Sequence, residues 1–416
     1  MLTQLRKFAR LPPLDPQIWI LSAGRLLSAI GTGFTLFYAP IFFVNQVGLS
    51  ATAVGLGLGS ASISGIVGRI LGGTFADTPT WGRRRTLLLS AAISAIAALI
   101  LAFADNLPSF VCGNLVMGLG AGLYWPPNEA LVADLSPTEQ RSEAYAVTRL
   151  SDSIGLGLGV VLGGAWISLF GEYRSLFVID AVSFAVFLVV IARFIKESAP
   201  ARTDRRSWQQ SWGAALGDRR LLVYVLVNIL ITSYIAQINT TLPLYFTNFV
   251  GQGKGFNSAT LSALFTWHLV LAVILQLPLA RWLNRWSRPQ ALILSSGLWG
   301  LGFGLVAVTG IVPDHALIWA IVSLAVLAIA TVVYTPSASA LVADLAPEAL
   351  RGVYLSINSL CWAVGFFIGP SLGGLMLDQP RPWADGLWLG LTMSVAGAIV
   401  ILHYLNRLLF RTDNSL

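Results

Sequence analysis

Charged residues are scarce in this chain of 416 residues. They make up 11% of the sequence, against roughly a quarter in soluble globular domains. Hydrophobic residues reach 56%, the mean hydropathy is +0.73, and long apolar runs recur along the whole chain. This composition excludes an ordinary soluble protein. It predicts a polytopic membrane protein in which most side chains face lipid or one another.

Side chains that commonly bind metals or perform catalysis are also few. The chain has two cysteines and three histidines, and both Cys112 and Cys361 fall within apolar runs. These positions support neither a disulfide framework nor a cysteine-based metal site. No Ser, His and acid converge in a recognisable catalytic motif. We therefore expect the protein not to be an enzyme and to need no metal or other cofactor.

The positions of the positively charged residues indicate how the chain is oriented in the membrane. The net charge is +7, but the longest basic block is Arg83 to Arg85 and the charges fall at the ends of apolar runs, so nucleic-acid binding is not indicated. If the N-terminus is inside, most Lys and Arg residues lie on the cytoplasmic side, and the opposite loops hold Arg174, Lys254 and Arg381. The positive-inside rule then predicts a multi-pass protein of the plasma (inner) membrane with both termini in the cytoplasm.

The apolar runs predict an all-α fold with twelve transmembrane helices. Each run is long enough to cross a bilayer and lacks period-two alternation, which favours helices over a barrel. The first run contains Arg25 and has no small-residue cleavage site, so we expect a retained span and not a signal peptide. The spans are predicted near 17–45, 51–76, 84–104, 108–134, 141–168, 174–195, 219–247, 258–284, 288–310, 315–343, 351–377 and 385–409.

The chain is predicted to consist of two pseudo-symmetric six-helix bundles, 1–195 and 219–416, joined by a polar cytoplasmic linker, 196–218. In the linker, the spacing of Trp208, Trp212, Ala215 and Leu216 predicts a short helix lying on the inner membrane surface. The two halves share a repeat. The segment 124–141, which contains Tyr-Trp-Pro, Ala-Leu-Val-Ala-Asp-Leu-Ser-Pro and a final Arg, recurs at 334–351 with an offset of 210. In the first span of each half the offset is 203, as in Pro40 and Pro243. Parallel repeats of this kind predict a substrate site at their interface and alternating access by rocking.

A motif between the second and third spans resembles motif A of the major facilitator superfamily, and the resemblance extends over essentially the whole chain. That motif has a Gly, an Asp four residues later, then Gly and a basic pair. Two residues are inserted here, and Thr78 stands where a basic residue is usual. The resemblance implies a conformational latch in which Asp77 pairs with Arg83; the alternative is a solvated ion pair that only marks topology. The latch residues are Gly73, Asp77, Gly82, Arg83 and Arg84.

A second resemblance concerns motif C, which is associated with proton-coupled antiporters. The fifth span has the glycines of this motif without its proline, and the eleventh span has the full pattern. Such glycine rows let helices pack backbone to backbone. At the place of the motif B arginine on the fourth span, this chain has Asn114. The packing glycines and proline are Gly155, Gly159, Gly163, Gly164, Gly365, Gly369, Pro370, Gly373 and Gly374.

Five charged or titratable residues inside spans are candidates for proton coupling, because such residues cost about 2.5 to 3.5 kcal/mol each on insertion scales. Arg25 could meet an anionic substrate or pair with an acid of a neighbouring span. Asp152 could carry the proton or pair with Arg149 on its own helix. Glu129 could form a proton exit or a buried hydrogen bond. For Asp180 we expect packing on a peripheral span, and for His268 a hydrogen-bonded imidazole.

The family resemblance also implies which spans line the central pathway, namely the first, fourth, seventh and tenth. These spans offer aromatic and neutral polar side chains, which suit an amphipathic organic molecule better than a simple ion. For each aromatic residue taken singly, ordinary helix packing is the stronger alternative. The predicted cavity residues are Thr32, Tyr38, Asn114, Tyr124, Trp125, Asn228, Gln237, Asn239 and Tyr334.

The resulting hypothesis is a monomeric secondary active transporter that exports a small amphipathic, drug-like compound in exchange for protons. One alternative is an uptake symporter or facilitative carrier for a metabolite such as a sugar or organic acid. Another is a membrane receptor or scaffold that does not transport. The expected partners are a small-molecule substrate, protons and the lipid bilayer, with no nucleic acid.

The topology can be tested with single cysteines. Because of the positive-inside rule, cysteines at Gly48, Asn106 and Gly253 should react with an impermeant thiol reagent added to intact cells. A cysteine at Thr203 should react only after the cells are opened. The opposite labelling pattern would overturn the charge argument.

Overall fold

A computed structural model describes residues 14–76, 78, 81–137, 140–197, 208–250, 253, 255–283, 285–312, 314–347 and 350–413. Within these ranges the regular structure is helical and no strand occurs. The helices of the first half are α1 (Pro16–Asn45), α2 (Ala51–Ala76), α3 (Gly82–Ala102), α4 (Leu107–Leu135), α5 (Arg141–Phe170) and α6 (Arg174–Phe194). The remaining helices are α7 (Trp208–Leu216), α8 (Arg219–Asn239), α9 (Thr241–Asn248), α10 (Ser258–Leu283), α11 (Arg288–Ile311), α12 (Ala316–Leu345), α13 (Arg351–Leu377) and α14 (Arg381–Asp413).

Twelve of the described helices are long and apolar enough to cross a membrane, which confirms the predicted number of spans. The two shorter helices are α7 and α9. The predicted seventh span was a single helix over 219–247, and this was wrong in detail because a break at Thr240 separates α8 from α9. Pro243 explains the break, since a proline ring clashes with the carbonyl four residues earlier in a continuous helix.

The short linker helix α7 has the predicted position and pattern. Its Trp212 packs against the largest apolar cluster, which contains residues of both halves, and Ala215 is fully buried there. Leu216 points outward and is exposed. Just after α7, Asp218 caps α8 by accepting a hydrogen bond from Arg220 N at 2.9 Å, and it accepts another from Tyr354 Oη of α13 at 2.8 Å. Burial alone would raise the pKa of Asp218, but these hydrogen bonds and the nearby Arg220 guanidinium hold it below its ordinary value.

The glycine rows on α5 and α13 pack in equivalent ways. A Cβ at Gly155 would lie 2.7 Å from Leu26 O of α1, and one at Gly369 would lie 2.8 Å from Ser233 O of α8. These distances are shorter than real Cβ contacts, so only glycine allows α5 to lie against α1 and α13 against α8. Each glycine row therefore allows its helix to pack closely against the first helix of the same half.

The last glycine of each row faces the opposite half of the chain. Gly164 of α5 lies against Ser262 of α10, and Gly374 of α13 lies against Ala51 of α2. The main contacts between the halves are accordingly α5 with α10 and α2 with α13. The two rows combine packing within a half and packing between halves.

Hydrogen bonds between the halves occur near the helix ends that are predicted to face outside. Asp378 at the end of α13 accepts from Ala51 N at 2.8 Å and Thr52 N at 2.6 Å, so it caps α2 from the other half. The amides of Asn45 and Asn248 exchange two hydrogen bonds, of 3.0 Å and 2.8 Å. These two asparagines are 203 residues apart, which is the offset of the repeat, so they are equivalent positions of the two halves.

The glycine contact between α1 and α5 can be tested at Gly159. A Cβ there would lie 2.7 Å from the Cα of Gly33, so we expect Gly159→Ala to lower the free energy of unfolding by about 1 to 3 kcal/mol. Thermal unfolding of the purified protein in detergent would measure the loss. The matched control is Gly390→Ala in α14, where no atom lies within 4 Å of the added Cβ; it should be neutral or slightly stabilising. Equal effects of the two substitutions would contradict the packing role.

Candidate functional site

An ion pair joins α1 and α5 inside the first half. Arg25 Nε donates to Asp152 Oδ1 at 2.5 Å, and the two side chains are only 14% and 12% exposed. Arg25 Nη1 also donates to Ser28 Oγ at 3.2 Å, and its guanidinium lies 4.4 Å from the ring centroid of Tyr124 on α4. Three helices thus surround one cation. We name Arg25, Tyr124 and Asp152 the ionic cluster.

The local sequence explains why these residues meet. Gly155 follows Asp152 by almost one helical turn and packs against Leu26, the neighbour of Arg25. The close approach of the two backbones therefore brings the residue pair together. Opposite charges taken out of water are tolerated when they pair closely, and removing one partner typically costs 3–5 kcal/mol.

The alternative pairing of Asp152 with Arg149 was wrong. Arg149 Nη2 instead donates to Glu129 Oε1 of α4 at 2.9 Å, and both of these side chains are about half exposed, at 61% and 49%. The Arg149 guanidinium also lies 4.7 Å from the ring centroid of Trp125. Residues 149 and 152 are one turn apart on α5, but Arg149 faces α4 whereas Asp152 faces α1.

Asp180 of α6 is fully buried against α1. Thr35 Oγ1 donates to Asp180 Oδ2 at 3.0 Å, and Ser183 Oγ lies 3.5 Å from Oδ1. Gly31 of α1 leaves room for the carboxyl group, because a Cβ there would collide with it. No salt bridge to Asp180 occurs among the described residues. These contacts fit the expected packing role, and the side chain faces the interior of the first half.

His268 of α10 forms the expected hydrogen bond. Its Nδ1 lies 3.0 Å from Leu324 O of α12, and the ring is partly buried. This contact links two helices of the second half. It uses one ring nitrogen without bringing a carboxylate to the imidazole.

A neutral network occupies the second half. Asn228 of α8 accepts a short hydrogen bond from Tyr334 Oη of α12 and donates to Asn358 Oδ1 of α13 at 2.9 Å. Tyr224 Oη donates to the same Asn358 oxygen at 2.7 Å. Thr232 Oγ1, one turn beyond Asn228, donates to Cys361 O at 3.0 Å. We name Tyr224, Asn228, Tyr334 and Asn358 the amide cluster.

The two clusters occupy equivalent positions of the repeat. Tyr124 and Tyr334 differ by the offset of 210, and Arg25 and Asn228 differ by the offset of 203. In the first half, an arginine lies over the tyrosine ring; in the second half, an asparagine bonds to the tyrosine hydroxyl. The same site of the fold is therefore charged in one half and neutral in the other.

The remaining predicted cavity residues do not converge on one point. Tyr38 is buried and donates to Val160 O of α5 at 2.9 Å. Thr32, Asn114 and Asn239 bond to carbonyls of their own helices, those of Ser28, Phe110 and Ile235. Gln237 is buried, and its Oε1 has no hydrogen-bond partner among the described residues.

The motif between α2 and α3 forms a compact ionic contact. Gly82 has a φ of 81°, a left-handed conformation that favours glycine. Arg83 is buried, forms an ion pair with Asp134 of α4 and donates to Ala130 O at 3.0 Å. Asp77, the predicted partner of Arg83, lies outside the described residues. In the second half, Arg288 and Asp344 form the related pair at 3.6 Å.

A carboxylate that the sequence analysis missed completes this region. Glu197, just after α6, accepts from Arg83 N at 2.6 Å and Arg84 N at 3.0 Å, so it caps the N-terminus of α3. Arg84 Nη2 in turn donates to Ala192 O at 2.5 Å. Asn358 and Tyr224 were also missed, because their neutral side chains carry no sequence signal in an apolar helix. The pair of Asn45 and Asn248 could have been found from the repeat offset.

The described residues contain no group of three or more His, Cys, Asp or Glu side chains suited to a metal ion. Cys112 is exposed and Cys361 is buried, and both are free thiols. The chemistry of the site therefore resides in carboxylates, one arginine, amides and phenols.

The sequence profile of the Major Facilitator Superfamily matches residues 21–259 and 246–415. A "Na(+), Li(+), K(+)/H(+) antiporter" of Planococcus maritimus is 25% identical, over 80% of this chain and 83% of that protein. The "Multidrug resistance protein MdtH" of Aeromonas hydrophila subsp. hydrophila is 26% identical, over 94% and 95%. In fold, the chain is similar to the nucleoside transporter NupG, with a TM-score of 0.78 and 15% identity over 94% of this chain and 99% of that one.

An auto-inhibited peptide transporter of the POT family gives a TM-score of 0.77, with 15% identity over 94% of this chain and 97% of that one. The antiporter and the two solved structures are transporters by name, and none of the four is named as an enzyme. The predicted fold and family are confirmed. Because the family profile covers nearly the whole sequence, this multi-pass membrane protein belongs to the major facilitator superfamily of transporters.

Proposed function

We propose that this transporter exports a small amphipathic organic compound in exchange for protons. The observation that carries the proposal is the ionic cluster, a buried ion pair whose repeat-related counterpart in the second half is neutral. The names of the relatives, a multidrug resistance protein and a cation/proton antiporter, support the same assignment. A plasma-membrane location and a monomeric state complete the proposal.

The chemistry of the ion pair accounts for exchange. While Asp152 is ionised, it compensates Arg25 and the ionic cluster has no net charge. A proton on Asp152 leaves the arginine charge uncompensated in a site of low dielectric constant. A cationic substrate then binds less well, so proton and substrate exclude one another. Mutual exclusion of proton and substrate is the thermodynamic basis of antiport.

The amide cluster is the proposed substrate-recognising side of the pathway. Asparagine amides and tyrosine hydroxyls can both donate and accept hydrogen bonds without changing charge. The buried Oε1 of Gln237 is one further acceptor, without a partner in the part of the chain that the structure describes. The first half would then supply coupling and the second half recognition, which suits a neutral or cationic amphiphile better than an inorganic ion.

The other predicted proton carriers rank below Asp152. Asp180 is the second choice, because a proton would neutralise a buried carboxyl that lacks a salt bridge in the described structure. Glu129 is about half exposed and already paired with Arg149, which fits a surface ion pair. His268 bonds to a backbone carbonyl, which fits a structural role.

Alternating access would follow from movement of the first half, 1–195, against the second, 219–416. The halves are joined by hydrogen bonds at the predicted outer end, so the described conformation fits one that is closed to the outside. The latch of Gly73, Asp77, Gly82, Arg83 and Arg84 would act at the inner end. The ion pair of Arg83 with Asp134 and the cap from Glu197 support that role.

Coupling can be tested with variants of the ion pair in proteoliposomes. Asp152→Asn should abolish substrate transport driven by a pH gradient, because no proton is exchanged. It should also lower the free energy of unfolding by about 3–5 kcal/mol, because Arg25 is left unpaired. The double variant Arg25→Gln, Asp152→Asn should recover the stability without recovering pH-driven transport.

The control variant is Glu129→Gln, which removes a carboxylate from an exposed pair. It should cost at most about 1 kcal/mol of stability and retain transport driven by the pH gradient. Pumping restored in the double variant of the ion pair would show that Arg25 and Asp152 are only structural. In that event the search for the proton carrier moves to Asp180.

The outer contact can be tested by cross-linking. Cysteines at Asn45 and Asn248, in a chain with Cys112 and Cys361 replaced by serine, should be joined by a short bifunctional thiol reagent. The cross-link should stop transport, because the halves can no longer separate at this end, and cleavage of the reagent should restore it. Each single-cysteine variant is a control and should transport normally after the same treatment. Full transport by the cross-linked protein would contradict the proposal that the halves separate at this end during transport.

A further inference from the structure

A shallow surface cavity of about 560 Å³, open to the surroundings, lies between the beginning of α11 and the last part of α14. Its lining residues are Arg285, Trp286, Gln290, Ile293, Leu294 and His403. The cavity is remote from the contacts between the halves, since α11 and α14 pack against each other and against helices of their own half. It is at the membrane side that the charge distribution assigns to the cytoplasm.

Further into the predicted membrane, α11 and α14 carry outward-facing apolar side chains. Leu301 of α11 and Val400 of α14 are 55% and 68% exposed, as expected for side chains in contact with acyl chains. Trp286 lines the cavity, and its ring centroid lies 5.0 Å from that of Trp282. Tryptophan is typical of the boundary between headgroups and hydrocarbon. The cavity therefore opens at the depth of the lipid headgroups.

The lining changes from polar to apolar along α11. Arg285 and Gln290 lie at the start of the helix, and Ile293 and Leu294 lie about one turn further into the membrane. His403 adds a polar side chain from α14, and Arg407 is one turn beyond it on the same helix. This order matches a molecule with a polar anionic head and an apolar tail.

Arg285, the arginine that lines the cavity, forms no salt bridge within the described part of the chain. Nearby, Arg288 is paired with Asp344, whereas Arg407 also forms no salt bridge with a described residue. The equivalent place in the first half is different. There α3 and α6 pack together, and the carboxylate of Glu197, just after α6, fills the space at the start of α3.

The comparison of the two halves indicates what the cavity accepts. In the second half the start of α11 is capped by its own Ser287 and Gln290, and α14 continues past the level at which α6 ends. The chain thus supplies an acid in one half and basic or neutral polar side chains in the other. An external anion would supply the missing negative charge.

We propose that this cavity binds an anionic phospholipid of the cytoplasmic leaflet. The phosphate and the anionic headgroup lie against Arg285, Gln290 and His403, and an acyl chain lies along Ile293 and Leu294. This site is separate from the proposed transport pathway, so the lipid is a bound partner and not a transported substrate.

The test is binding of phosphatidylglycerol by the purified full-length protein, measured by native mass spectrometry. Wild-type protein should retain phosphatidylglycerol in preference to phosphatidylcholine. The double variant Arg285→Gln, His403→Gln should lose about fivefold or more of this preference, since each basic residue near a headgroup contributes about 1 kcal/mol. The control Arg193→Gln removes an exposed charge at the end of α6 and should bind like the wild type.

Two further measurements make the result decisive. Thermal unfolding in phosphatidylcholine must give the same midpoint for the double variant and the control, which shows that both are folded; if the double variant is less stable, the single variant Arg285→Gln replaces it. Inorganic phosphate at millimolar concentration should not displace phosphatidylglycerol. Equal lipid retention by the Arg285 variant and the control would overturn the proposal. Displacement by phosphate would also overturn it, in favour of a site for a free anion.

Discussion

In lipid there is no hydrophobic driving force between helices, so this structure depends on close contact between helix backbones. The glycine rows of α5 and α13 meet that constraint twice, once against α1 and once against α8. Dispersion contacts and hydrogen bonds become available only at this short distance. The ion pair between Arg25 and Asp152 is one result, because it forms where Gly155 lets α5 approach α1. The positions of the polar sites thus depend on the packing of small residues.

The sequence was sufficient for the parts of the fold that have a periodic or compositional signal. Twelve spans, the linker helix and the repeat all follow from apolar runs, Trp spacing and a segment that recurs in both halves. The break before Pro243 was missed because a proline within a helix is compatible with either a kink or an interruption. Pro40 illustrates the other outcome, since α1 continues through it.

The contacts within the site could be predicted less well from the sequence, because they depend on geometry. Arg25, Asp152 and Tyr124 were each selected because charge and aromatic groups stand out in apolar helices. Their mutual arrangement depends on how three helices are rotated, which no single-helix pattern specifies. Arg149 was therefore paired with the wrong acid. Asn358 and Glu197 were missed because one is a neutral residue in a span and the other lies in a short connection.

The hydrogen bonds between Asn45 and Asn248 join equivalent positions of the repeat. A contact between a position and its own counterpart is the kind that forms across the two-fold axis of a homodimer, where the surface is isologous. The six-helix half therefore retains a self-complementary edge. In a true homodimer, any substitution would appear on both sides of the axis at once. In this single chain, a position in one half can change without its counterpart in the other half. Arg25 and the equivalent Asn228 differ in this way.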